Sequence, residues 1–103
     1  MKLHRRFQLG IIAALLCGAP AAHAAEDIKI GMVLPMSGPF SSYGQQILNG
    51  ARLYIQEHGD KIGDRKVSLI VKDDTGVAPE ISKRAAQELI VQDKVDILAG
   101  FGL

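Results

Sequence analysis

Between residues 28 and 99, three short apolar runs alternate with two longer stretches of helical periodicity, and no other feature of the sequence narrows the choice of fold so far. Ile28-Lys29-Ile30-Gly31-Met32-Val33-Leu34 is mostly apolar and stops at Pro35, the pattern of a strand buried on both faces. Lys66-Val67-Ser68-Leu69-Ile70-Val71-Lys72 forms a second strand, ended by Asp73-Asp74-Thr75-Gly76, and Val95-Asp96-Ile97-Leu98-Ala99 forms a third. The order β-α-β-α-β calls for parallel strands joined through helices by right-handed crossovers. If the third strand pairs on the far side of the first, the spatial order is 2-1-3 and the helices cover opposite faces. The fold class expected is therefore α/β, the start of a doubly wound parallel sheet.

The first helix is expected from about Tyr43 to about His58, with Ile47, Leu48, Ala51, Tyr54 and Ile55 on one face. Gly50 inside it costs about 1 kcal/mol relative to Ala, which close packing on the sheet would offset. Gly59-Asp60 and Gly63-Asp64 make the following turn. Pro79 opens the second helix, where its missing N–H does no harm, and Ile81, Ala85, Leu89 and Gln92 mark one face, widened by Ala86 and Ile90. In such a sheet the ends of strands one and three flank a crevice at the topological switch point, the usual place for a ligand. The loop 35–43 and the terminal Gly100–Leu103 lie there. Three strands with one helix per face leave edges and crevice unprotected, so residues 25–103 are expected to be part of a larger unit.

Charge separates the N-terminus from the rest. Residues 1–24 hold Lys2, Arg5 and Arg6 and no acid, followed by the apolar run Leu9–Leu16 and the small residues ending in Ala22-His23-Ala24. That is the three-part plan of a secretory signal, with cleavage expected after Ala24 and a periplasmic or exterior destination. The apolar run falls short of the about 20 residues needed to span a bilayer. Cys17 is the only cysteine, and Leu16 before it is not the small residue a lipid-anchored Cys requires. After cleavage the chain would carry no thiol, hence no disulfide and no Cys-based metal site.

Several chemistries fail on the residues. A net charge of +1, with five aromatic residues and no Trp, supplies neither a basic field nor a stacking platform for nucleic acid. Gly38 and Gly44 are six apart, with Pro39, Phe40 and Tyr43 between them, so the dinucleotide fingerprint is absent. Asp73 stands where a ribose-binding acid would, but without those glycines it is a turn-forming, solvated residue. There is no phosphate-binding G-x-x-x-x-G-K-[ST] run and no G-x-S-x-G elbow, and the first and third strands end without clustered acids. His58, the only histidine beyond residue 24, suits a helix terminus and its dipole better than a catalytic role. No catalytic residues, cofactor or metal are expected. What remains is a loop of neutral donors, Ser37, Ser41, Ser42 and Tyr43, near a helix N-terminus, suited to an anionic group such as a carboxylate. The alternative is that Ser41 or Ser42 caps the helix and Tyr43 packs on the loop.

Taken in order, Ile28-Lys29-Ile30-Gly31, Pro35-Met36-Ser37-Gly38-Pro39, Tyr43-Gly44, Asn49-Gly50-Ala51-Arg52, Asp73-Asp74 and Val95-Asp96-Ile97-Leu98-Ala99-Gly100 resemble the start of mature periplasmic ligand-binding proteins. The family is the leucine/isoleucine/valine-binding type, subunits of ABC importers. The resemblance implies two doubly wound lobes that close on a ligand, with residues 25–103 the N-terminal part of lobe one. It also implies a permease partner in the inner membrane, and amino acids or related small carboxylates or amides as cargo. Ligand contacts are expected from Ser37, Ser42 and Tyr43 in the loop after strand one and from Gly100 and Phe101 after strand three. Two departures stand out: no Cys links the loops after strands two and three, and Ala78-Pro79 replaces the frequent Asp-Pro. Both favour a broader branch of the family, whose ligands include aliphatic and aromatic acids and amides. An extracellular sensor domain of a membrane receptor is the alternative function, and an exported α/β enzyme a third.

Overall fold

The computed structural model describes residues 25–101. The expected signal segment, Cys17 and the final Gly102-Leu103 lie outside the described residues. Six elements follow in order: β1 (Ile28–Leu34), α1 (Ser41–His58), β2 (Lys61–Ile62), β3 (Arg65–Asp73), α2 (Pro79–Val91) and β4 (Ile97–Gly100). The sheet order is β2-β3-β1-β4. β1 pairs in parallel with β3 from Ile28↔Val67 to Leu34↔Asp73, and with β4 from Ile30↔Ile97 to Val33↔Gly100. The three parallel strands thus take the expected 2-1-3 arrangement.

Strand periodicity divides the core between two faces. Met32 and Leu34 are buried with Leu48 of α1, and Ile30, Met36, Ile47, Ala51, Leu69 and Val71 pack against them. The intervening Val33 turns the other way, onto Ala85 and Leu89 of α2, with Ile70, Val95 and Leu98 around it. A strand with apolar residues at successive positions is the consequence of having a helix on each side, which is why β1 does not alternate.

Four expectations need correction. β2 is an added short strand, antiparallel to β3 through Lys61↔Lys66 and Ile62↔Arg65, closed by the turn in which Gly63 has φ 63°. Two residues flanked by turn residues carry too little periodicity to announce a strand. β4 begins at Ile97 rather than Val95: Lys94 has φ 53°, the Val95 amide donates to the Leu89 carbonyl at 3.1 Å, and the Val95 side chain joins the α2-side core. Both helical stripes are narrower than their periodicity suggested. Tyr54, Ile81 and Ile90 are exposed, because a single helix on a sheet buries only its central line of contact. Gly50 is also exposed, with nothing within 4 Å of where a Cβ would stand. The close approach occurs instead at Gly44, where a Cβ would overlap the Pro35 carbonyl oxygen.

Candidate functional site

The carboxyl ends of β1, β3 and β4 lie side by side, and the loops that leave them build the candidate site. After β1 the chain runs through the fully buried Pro35 to Met36 and Ser37, then through a 3-10 turn, Gly38–Phe40, into α1. Gly44 seats the first turn of α1 against Pro35, so the helix begins directly over the end of β1. Phe40 occupies the N-cap position, no side chain caps the helix, and its first turn has no acid. The Ser41 amide donates to the Gly38 carbonyl, but neither Ser41 nor Ser42 acts as the cap that the sequence left open as an alternative. The backbone N–H groups of that turn are thus left without a carboxylate or hydroxyl from this chain's own caps.

The expected residues divide about the end of β1. Ser42 and Tyr43 stand on the first turn of α1, on one side of the sheet. Gly100 ends β4 and Phe101 follows it, and Phe101 lines a cavity of about 270 Å³ with Asp74, Gly76, Val77, Ala78, Pro79 and Ser82, at the N-terminus of α2 on the other side. Gly100 has φ 110°, and a Cβ there would overlap the Val33 carbonyl oxygen. The Phe101 amide is already donated to that carbonyl at 2.9 Å, so Phe101 can offer a ligand its ring and not its N–H. Three aromatic side chains rim this end of the sheet, Phe40 at 39%, Tyr43 at 45% and Phe101 at 45% exposure.

Ser37 is bonded to Asp73. Its hydroxyl donates to Asp73 Oδ2, and its amide donates to Asp73 Oδ1 at 3.2 Å. The same Oδ1 accepts the amides of Met36 and Thr75, each at 2.8 Å. Asp73 is the residue that sequence reasoning undervalued. It is exposed and it does form a turn through Thr75, as expected, but it also ties the β1 loop to the end of β3. The signal available was its position: an acid ending the strand that neighbours the first one. The Ser37 hydroxyl, then the amides of Thr75, Met36 and Ser37, hold its carboxyl below the ordinary value of 3.8.

Asp74 points the other way. It is buried, at 5% exposure, and accepts the Gly76 amide at 2.9 Å and the Ser82 hydroxyl at 3.0 Å. Its own amide donates to the Leu34 carbonyl at 3.0 Å. Through Ser82 it braces α2, whose N-cap residue Ala78 provides no side-chain bond. Thr75 does not cap it either: its buried hydroxyl has no hydrogen-bond partner. His58 lies at the far end of α1, its Nδ1 bonded to the Tyr54 carbonyl at 3.0 Å and its ring stacked on Tyr54 with centroids 4.0 Å apart. Among the described residues no group of three or more His, Cys, Asp or Glu side chains is placed to hold a metal ion, and no helix is long and apolar enough to cross a membrane.

Comparison with known proteins brings in three relatives and a family. Residues 27–102 match the family model described as periplasmic binding protein. The Leu/Ile/Val-binding protein homolog 6 of Brucella abortus (strain 2308) is 38% identical over 97 residues, 94% of this chain and 25% of the relative. A solute binding protein of an ABC transporter from Rhodopseudomonas palustris BisB5, solved in complex with 3,4-dihydroxybenzoic acid, is 48% identical. It superposes with a TM-score of 0.70 over 75% of this chain and 21% of that one. A further R. palustris solute binding protein of an ABC transporter, solved with 4-hydroxybenzoate, is 39% identical, with a TM-score of 0.71 over 75% and 21% of the two chains. The chain thus spans about a quarter of the length of the curated relatives it matches.

Proposed function

The chain belongs to the periplasmic binding protein family, and from that premise we propose that it forms part of an exported solute-binding subunit of an ABC importer whose cargo is a small carboxylic acid, aromatic in preference to branched-chain. Residues 1–24 direct export and are removed after Ala24. Residues 25–103 contribute to the first of two lobes, capture comes from closure of the lobes, and a permease in the inner membrane receives the cargo.

The observation that carries the cargo class is the bare N-terminus of α1. With no capping side chain and no acid in the first turn, the amides that follow Ser41, whose own N–H is donated to the Gly38 carbonyl, and the helix dipole favour a carboxylate. Ser42 and Tyr43 add exposed hydroxyls on that same turn. The exposed rings of Phe40, Tyr43 and Phe101 suit a flat apolar body better than a charged one. In the same direction, the R. palustris protein solved with 3,4-dihydroxybenzoic acid shares 48% of aligned residues with this chain, against 38% for the Leu/Ile/Val-binding homolog.

The test is isothermal calorimetry on the complete product of the gene with 3,4-dihydroxybenzoate, benzoate and leucine. Micromolar binding of the aromatic acids is expected, with leucine at least about tenfold weaker. Leucine bound more tightly than either aromatic acid would reverse the preference, and heat from none of the three would remove the cargo class. N-terminal sequencing of the exported protein should read from Ala25; a sequence retaining residues before it would overturn the cleavage site.

A further inference from the structure

We propose that Asp73 is a positioning residue for the ligand site: its carboxylate latches the loop after β1 onto the end of β3, and through that loop sets where the first turn of α1 stands. The inference rests on the carboxylate-binding role given to that turn above.

Asp73 ends β3 opposite Leu34, the last residue of β1, so its carboxylate is placed beside the point where the β1 loop departs. The carboxylate spans two loops. From the β1 loop it takes the Met36 amide, the Ser37 amide and the Ser37 hydroxyl; from the β3–α2 loop it takes the Thr75 amide. Beyond Ser37 only the 3-10 turn, Gly38–Phe40, separates the latch from Ser41 at the start of α1. On the other side of the loop Gly44 is seated on Pro35. The segment is therefore held at two points, by close backbone packing at Gly44 and by hydrogen bonds at Asp73, and the residues between them include Ser42 and Tyr43. A carboxylate with several amide donors is a strong acceptor that stays ionised at neutral pH, so the latch is closed whenever the protein is in its working range. Ser37 accordingly acts as part of the latch and not as a donor to the ligand.

A double-mutant cycle on the complete gene product separates the two roles of Ser37. Binding of 3,4-dihydroxybenzoate is measured by calorimetry for wild type, Asp73→Ala, Ser37→Ala and the double variant, with amide hydrogen exchange of residues 36–43 followed alongside that of β1. Asp73→Ala should speed exchange at Met36 and Ser37, leave Val33 and Leu34 protected, and weaken binding about tenfold. Ser37→Ala should weaken binding by less, and should add little once Asp73 is gone. Asp73→Asn keeps one acceptor oxygen and should recover part of both the protection and the affinity.

Exchange unchanged in Asp73→Ala overturns the latch, and so does faster exchange with unaltered affinity. A Ser37→Ala loss of equal size in both backgrounds shows that Ser37 touches the ligand directly, and removes it from the latch. If wild type binds neither 3,4-dihydroxybenzoate nor leucine, the failure belongs to the proposed cargo, while the exchange comparison still decides whether Asp73 holds the loop.

Discussion

Gly100 and Gly50 make opposite predictions for the same substitution. Gly100 combines φ 110° with a backbone contact that leaves no room for a Cβ, since the Val33 carbonyl stands where the methyl group would go. Gly100→Ala must displace β4 or the Phe101 turn and should destabilise the protein by about 1–3 kcal/mol. Gly50 sits on the open side of α1, so Gly50→Ala should stabilise by up to about 1 kcal/mol. Thermal unfolding of the two variants checks both, and a Gly100→Ala protein that melts with wild type would show that β4 is not held as described. Asp73 adds a pH dependence. Its folded-state carboxyl titrates below 3.8, so its stabilisation is fully present above that value and is lost as pH falls through the lower, folded-state one. The stability difference between wild type and Asp73→Asn should therefore be constant at neutral pH and shrink only below about 3.8. A difference that already shrinks nearer pH 6 would show that these donors do not hold the Asp73 carboxyl down. None of these pairings was legible in the sequence. Gly44, Gly50 and Gly100 look alike in a string of letters, and what separates them is a carbonyl from another segment. The partners of Asp73 on the β1 loop lie 36 and 37 positions away.

Whole elements were far more legible, because their signals are local and repeat. The apolar run of β1, Pro79 at the start of α2 and the acids after β3 each marked a boundary that the structure keeps to within a residue or two. The exceptions follow the same logic: the hairpin strand β2 is too short to repeat anything, and the 3-10 turn before α1 extends the helix to Ser41 without an apolar position to announce it. The missing cap on α1 has a functional prediction. An acid at the N-cap should stabilise the helix by about 1 kcal/mol, so Phe40→Asp should raise the melting temperature. The same acid would occupy the amides proposed for the ligand carboxylate and place a like charge beside it, so affinity for 3,4-dihydroxybenzoate should fall. Phe40→Ala separates loss of the ring from gain of the charge: only the Asp variant should combine higher stability with the larger loss of affinity. Retained affinity in Phe40→Asp would move the carboxylate away from α1.

At the scale of the molecule, the two faces of the sheet are unequally covered. On the α1 side the helix seals Met32 and Leu34 but leaves both its flanks open. Toward β2 and β3 an apolar groove of about 450 Å³ runs beside Tyr54 and Ile55, floored by Ile30, Val67 and Leu69. Toward the other edge, Ile97 of β4 pairs with Ile30 yet remains 49% exposed. Among the described residues nothing pairs with the outer edge of β4, which thus presents free backbone donors and acceptors next to exposed apolar surface. Those two properties together are what drive strand-to-strand association, so the polypeptide 25–103 made alone should self-associate, with a sedimentation coefficient that rises with concentration, and should bind a hydrophobic dye. Ile97→Lys puts a charge on that edge and should reduce the association more than Leu53→Lys, which changes an equally exposed leucine on the outer face of α1 but leaves the edge untouched. Equal relief from both substitutions would assign the association to general surface hydrophobicity, and a concentration-independent monomer with a sharp unfolding transition would show that one helix per face suffices for this sheet.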